Sequence, residues 1–189
     1  MLTYHILKDA GINVGLAGNV GHSLALQVAH EQHDVYVVEL SSFQLENMYD
    51  FKANIAVIMN ITPDHLDRYD YEMQNYVNAK FRILQNLTSN DAFIFWKGDP
   101  IIEAQLKRIE TEAQLFPFSE EKEENSKAYT DAENNLIINA PNSTLNMPRA
   151  DLALSGLHNL YNSMAAGLSA GIAALFQAPL AGALFGFEI

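Results

Sequence analysis

Two short runs, Val35-Tyr-Val-Val38 and Ile55-Ala-Val-Ile58, are apolar at consecutive positions and rich in β-branched side chains. They are too short for helices, and they do not alternate as half-exposed strands do. Continuous apolar strands must be covered on both faces, which is the situation of parallel strands between two layers of helix. Each run leads into a loop that carries chemistry: Glu39-Leu-Ser-Ser-Phe-Gln44 after the first and Asn60-Ile-Thr-Pro-Asp-His-Leu-Asp67 after the second. Open α/β sheets bind ligands outside the carboxyl ends of their strands, so both loops fall on the productive edge by position.

The rest of the chain continues the alternation. Helical spacing from Leu2 to about Ala10 stops at Gly11, a strand over Asn13 to Leu16 runs into Gly18-Asn-Val-Gly21, and a helix follows from Ser23 to Glu31. A short helix is expected around Phe43 to Tyr49, and a longer one over Tyr71 to Leu87, with Met73, Tyr76, Lys80, Leu84 and Leu87 at steps of three or four. Strands over Asp91–Trp96 and Gln114–Phe118 flank a helix over Ile101–Glu110, and Gly156 opens an Ala-rich helix to about Phe176. Turn residues between the β-prone ends of Tyr129–Ile138 predict a hairpin. The expected fold is therefore α/β: a mostly parallel sheet flanked by helices, with a small antiparallel β element attached.

Size and charge narrow the function. At 189 residues and 49% hydrophobic, the chain buries a core as one domain, and no apolar stretch approaches the length of a membrane span. The start, Met1 to Lys8, lacks the basic region and apolar core of a signal peptide, so a cytoplasmic protein is expected. The absence of cysteine excludes disulfides, zinc thiolates and thiol nucleophiles. A net charge of -12 argues against nucleic-acid binding, which relies on Lys and Arg to neutralise phosphates. Much of that charge lies in Glu120-Glu-Lys-Glu-Glu124, which reads as a solvated loop.

Glu39, Asp64, His65 and Asp67 offer oxygen and nitrogen donors that suit magnesium or manganese better than structural zinc. Thr62-Pro-Asp-His also has the look of a helix start with Asp64 as its cap. Gly18-Asn-Val-Gly21 lets backbone amides approach an anion, and Asn19 can donate to a phosphate or turn its carbonyl oxygen to a metal. His158, Asn159 and Asn162 open a helix with donors and acceptors for a planar base, while ordinary capping also explains Asn159. Lys80, on or beside an apolar stripe, either snorkels to water or has its pKa lowered, in which case the neutral amine can take up carbon dioxide as a carbamate.

In this order Gly18-Asn-Val-Gly21, Glu39-Leu-Ser-Ser-Phe-Gln-Leu45, Asn60-Ile-Thr-Pro-Asp-His-Leu-Asp-Arg68, Ala79-Lys-Phe-Arg-Ile83 and Gly156-Leu-His-Asn-Leu-Tyr-Asn162 resemble the central domain of the ATP-dependent Mur ligases. Ser-Ser-Phe-Gln points to the branch that adds D-glutamate. The resemblance implies ATP as co-substrate, Mg2+ as cofactor, UDP-N-acetylmuramoyl-L-alanine and D-glutamate as partners, and neither nucleic acid nor membrane. It implies that Glu39 and His65 hold magnesium and that Lys80, as a carbamate, supports a second metal, with His65 and Lys80 at the catalytic centre. Asn19, Ser41 and Gln44 would line the muramoyl site, and His158, Asn159 and Asn162 the nucleotide site. The family's Gly-Lys-Thr phosphate loop is not in the sequence. The expectation is therefore a central-domain fragment, residues 1–176, with a tail, 177–189, toward a C-terminal domain, inactive alone. Another amide ligase of the Mur or folylpolyglutamate type, or a non-catalytic module with residual metal or nucleotide binding, stays open.

Overall fold

The computed structural model describes residues 1–174 and, as backbone, residues 181–186. Its strands in chain order are β1 (Val14–Gly18), β2 (Val35–Glu39), β3 (Ile55–Ile58), β4 (Ala92–Trp96), β5 (Gln114–Glu121), β6 (Ala128–Thr130), β7 (Asn135–Ala140), β8 (Ser143–Pro148) and β9 (Ala181–Gly186). The helices are α1 (Leu2–Asp9), α2 (Leu24–His30), α3 (Ser42–Leu45), α4 (Met73–Phe81), α5 (Pro100–Leu106) and α6 (Leu157–Ala173). All nine of these strands join one sheet in the order β1-β2-β9-β3-β4-β5-β6-β7-β8. Pairing is parallel from β1 through β6 and antiparallel from β6 to β7 and from β7 to β8. The mostly parallel sheet with a small antiparallel extension is the architecture expected from the sequence.

Side-chain alternation along the strands builds two cores. Val35 and Val37 of β2, with Ile55 and Val57 of β3, pack on one face with Leu7 of α1 and with Leu160, Met164 and Leu168 of α6. Val38, Ala56 and Ile58 point to the other face, against Leu45, Tyr76, Val77 and Ile102 of α3, α4 and α5. The central strands are apolar throughout because both of their faces are covered. α6 lies close over β7: a Cβ at Gly167 would meet the tip of the Ile138 side chain, which would have to shift.

The structure departs from expectation in several places, among them α5, which ends at Leu106 rather than Glu110, and β5, which runs on to Glu121 into the expected acidic loop. α3 ends at Leu45 rather than Tyr49, closed as a single turn by its own capping box. α4 ends at Phe81 and its last turn tightens to a 3-10 turn, Arg82–Leu84. β8, Ser-Thr-Leu-Asn-Met-Pro, is mostly exposed and so carries little apolar signal. Within the expected tail, 177–189, residues 181–186 form β9 between β2 and β3, and the other tail residues lie outside the described residues. Ala and Gly are depleted in strands, so this stretch does not announce itself; pairing on both edges decides it.

Candidate functional site

Parallel strand order puts Asn19, Glu39 and the His65 loop at the carboxyl ends of β1, β2 and β3. β8 runs parallel to the main strands, since two antiparallel pairings separate it from β6, so α6 begins at their carboxyl ends. α1, which leads into β1, also begins there.

Asn19 and Glu39 meet at the ends of β1 and β2. The Asn19 amide nitrogen donates to Glu39 Oε1 at 3.3 Å, and the Asn19 backbone N–H donates to the Glu39 carbonyl at 2.8 Å. Gly18 permits this crossing: its φ is +108°, and a Cβ there would overlap the Glu39 carbonyl oxygen. Glu39 is 9% exposed, a carboxylate at the sheet edge rather than a solvated surface acid.

Ser41 and Gln44 are engaged with each other. Ser41 Oγ accepts from the Gln44 N–H at 3.3 Å, and Gln44 Oε1 accepts from the Ser41 N–H at 2.9 Å and from Ser41 Oγ at 3.2 Å. This capping box fixes α3 directly after β2 and leaves Gln44 Nε2 as the polar group that can face a ligand.

The loop after β3 folds back on α3. His65 adopts a left-handed conformation (φ +47°), and Asp64 Oδ1 accepts from its N–H at 2.8 Å. Asp64 thus steadies the loop one residue before the 3-10 turn Leu66–Tyr69, in place of the expected helix cap. The His65 and Asp64 side chains are 53% and 41% exposed, open to a ligand. The His65 ring meets Phe43 edge-on with centroids 5.1 Å apart, bringing the Glu39 and His65 loops into contact. Arg68 stacks on Phe43 at 4.5 Å and pairs with Glu46 at 2.9 Å. Burial chiefly, with the Glu46 charge adding and Ser42 opposing, raises the Tyr69 phenol pKa above the usual range.

Lys80 is buried, 8% exposed, with its ammonium 5.1 Å from the Tyr76 ring centre. His158 is exposed at the start of α6, Asn159 donates to the Ser155 carbonyl at 2.8 Å, and Asn162 is half-buried one turn on. Asn159 thus does not cap α6, whose first N–H groups receive no side-chain acceptor; its side chain ties back to Ser155, and its Oδ1 remains an acceptor.

Among the described residues no three His, Asp or Glu side chains gather into a metal cage. Magnesium rarely uses one: it keeps waters and phosphate oxygens and takes one or two protein ligands. The Glu39 carboxylate, oriented by Asn19, and the exposed His65 imidazole fit such a partial set.

Asp99 is a residue that sequence reasoning missed. It is 4% exposed; its Oδ1 caps α5 by accepting from Ile101 and Ile102, and its Oδ2 accepts from the Ile61 N–H at 2.8 Å. The second contact ties the loop bearing His65 to the end of β4. Asp followed by Pro100 is a readable helix start, but the long-range contact leaves no local trace.

Comparison with known proteins points one way. The profile of the Mur ligase middle domain family matches residues 1–170. A Bacteroides fragilis protein named UDP-N-acetylmuramoylalanine–D-glutamate ligase is 60% identical over 99% of this chain and 42% of its own length. Proteins of the same name from Porphyromonas gingivalis and Salinibacter ruber are 50% and 33% identical, over 90% and 99% of this chain and 38% and 42% of their own lengths. The chain thus spans about two fifths of the length of these relatives. A voltage gated chloride channel profile also matches residues 153–189, an Ala- and Gly-rich stretch. No described helix is long and apolar enough to cross a membrane.

Proposed function

Since the chain belongs to the Mur ligase middle domain family, we propose that it is the ATP-handling part of a ligase that joins D-glutamate to UDP-N-acetylmuramoyl-L-alanine in peptidoglycan precursor synthesis. The observation that carries this reading is 60% identity, sustained over 99% of the chain, to a relative of that name. An ATP-consuming reaction on a nucleotide-linked substrate fits a cytoplasmic setting.

In the proposed reaction a carboxylate oxygen of the alanine residue attacks the γ-phosphorus of ATP, forming an acyl phosphate and releasing ADP. The D-glutamate amine then attacks the acyl carbon; the C–N bond forms, the C–O bond to phosphate breaks, and the amine gives up a proton. Glu39 and His65 would hold magnesium, which when bound neutralises the transferring phosphoryl group and fixes its geometry. Lys80, buried beside Tyr76, would serve as a carbamate supporting a second metal. Asn19 holds the Glu39 carboxylate in place. Gln44 Nε2 would donate to the muramoyl substrate, with Ser41 acting through the capping box that fixes Gln44. His158, Asn162 and the free Oδ1 of Asn159 would contact the nucleotide at the start of α6.

The test grafts this chain in place of the matching segment of the Bacteroides fragilis relative and follows ATP-dependent ligation to UDP-N-acetylmuramoyl-L-alanine. D-glutamate incorporation, with loss of activity in Glu39→Gln, is the expected outcome. A folded chimera that prefers another amino acid, or that ligates equally well without Glu39, would refute the reading.

A further inference from the structure

Between His65 and Lys80 runs a line of rings. His65 meets Phe43 at 5.1 Å, Phe43 stacks on Tyr69 at 6.3 Å, Tyr69 meets Tyr76 at 5.4 Å, and the Lys80 ammonium lies 5.1 Å from the Tyr76 ring centre. The members come from three elements: α3, the 3-10 turn after His65, and α4. Phe43 alone among the rings belongs to the loop after β2, and it touches both His65 and Tyr69. Its placement is enforced by Arg68, which stacks on Phe43 at 4.5 Å while donating to Glu46 Oε2 from Nε at 3.3 Å and from Nη2 at 2.9 Å.

We propose that Phe43, clamped by the Arg68–Glu46 pair, is a positioning residue that fixes the orientation of the His65 imidazole. The loop needs such a device. His65 is exposed, and its backbone sits in the left-handed region, uncommon for residues other than glycine although histidine enters it more readily than most. The contacts within its own loop are those to Asp64. An imidazole without a fixed orientation presents its ring nitrogens to a ligand only part of the time. An edge-to-face partner restricts the ring to one attitude. In this arrangement Phe43, the aromatic residue of the Ser-Ser-Phe-Gln motif, acts on the site through His65 and needs no contact with substrate.

The inference uses the reading of His65 as a metal ligand only for its functional consequence, and the experiment separates the two. The first arm records the His65 ring-proton resonances of this chain by NMR for the parent, Phe43→Leu, Phe43→Tyr and Arg68→Met. Ring-current displacement of His65 by Phe43 disappears in Phe43→Leu, shrinks in Arg68→Met and is restored in Phe43→Tyr, while methyl resonances of the core stay in place. The second arm titrates Mn2+ and follows paramagnetic broadening of the same resonances. Half-saturation rises in Phe43→Leu by up to about tenfold, a ratio equivalent to ~1.4 kcal/mol, and returns in Phe43→Tyr. Unchanged His65 resonances in Phe43→Leu would overturn the positioning role. Should that variant not fold, unchanged resonances in Arg68→Met, an exposed position, would overturn it equally. Displaced resonances with an unaltered Mn2+ titration support the positioning role and overturn the assignment of His65 as a ligand.

Discussion

Replacing Asp99 separates two jobs done by one carboxylate. Oδ1 caps α5 through Ile101 and Ile102, and Oδ2 receives the buried N–H of Ile61. Loss of an N-cap costs about 1 kcal/mol, and leaving a buried donor without an acceptor costs about 1–3 kcal/mol. Asp99→Ala should therefore destabilise the chain by about 3 kcal/mol. Asp99→Ser keeps an oxygen able to cap α5 but too short to reach Ile61, so it should cost about 2 kcal/mol, the charge-assisted bond alone. Urea unfolding followed by tryptophan fluorescence is well suited, because Trp96, the single tryptophan, ends β4 and packs on Tyr161 at 4.9 Å. The midpoint should fall with little change in slope. A cost for Asp99→Ala below about 1 kcal/mol, within the range of a cap alone, would refute the claim that this carboxylate anchors the His65 loop. Equal costs for the two variants would refute the division between cap and anchor.

Two further perturbations test the scaffold. Gly18→Ala should cost more stability than Gly11→Ala, because both glycines have positive φ (+108° and +82°) but only at Gly18 does a Cβ overlap backbone; strain alone is worth about 1–3 kcal/mol, and equal urea midpoints would refute the close approach over Glu39. At the opposite edge of the sheet, burial raises the Asp91 pKa but is outweighed by the Lys52 ammonium at 2.8 Å and by Thr88, which together hold the carboxyl below its usual value. A depressed folded pKa gives stability that is present above the unfolded value of about 3.9 and lost as pH falls through the folded one. Asp91→Asn should flatten the fall in stability measured by urea unfolding on acidification below about pH 4, and an unaltered slope would refute the coupling.

What the sequence announces follows the physics of each element. Val35–Val38 and Ile55–Ile58 are legible because a strand covered on both faces has no reason to alternate. Lys80 is legible only as lying on or beside an apolar stripe, from which an amine can equally snorkel to water; its burial is set by packing that the spacing does not show. β8 and β9 are not legible: one is an exposed strand without an apolar face, and the other is mostly Ala and Gly, which strands disfavour. Ser41 and Gln44 stand at the Ser-x-x-Gln spacing of a capping box, so their mutual bonding is written in the sequence as well. Phe43, Glu46, Arg68 and Asp99 act through partners 22 to 38 residues away, which no local pattern encodes.

The place of β9 has a consequence for the order of assembly. β1 and β2 form one parallel pair, and β3 to β8 form a second ribbon; the two are joined in the sheet through residues 181–186, which the ribosome delivers after all the other strands. Until then, the facing edges of β2 and β3 are unpaired, and both strands are apolar and without proline, the kind of edge that recruits strands from other chains. Nascent chains halted before residue 181 should therefore associate with one another at these two edges, and the arrival of a short Ala- and Gly-rich segment should end that vulnerability.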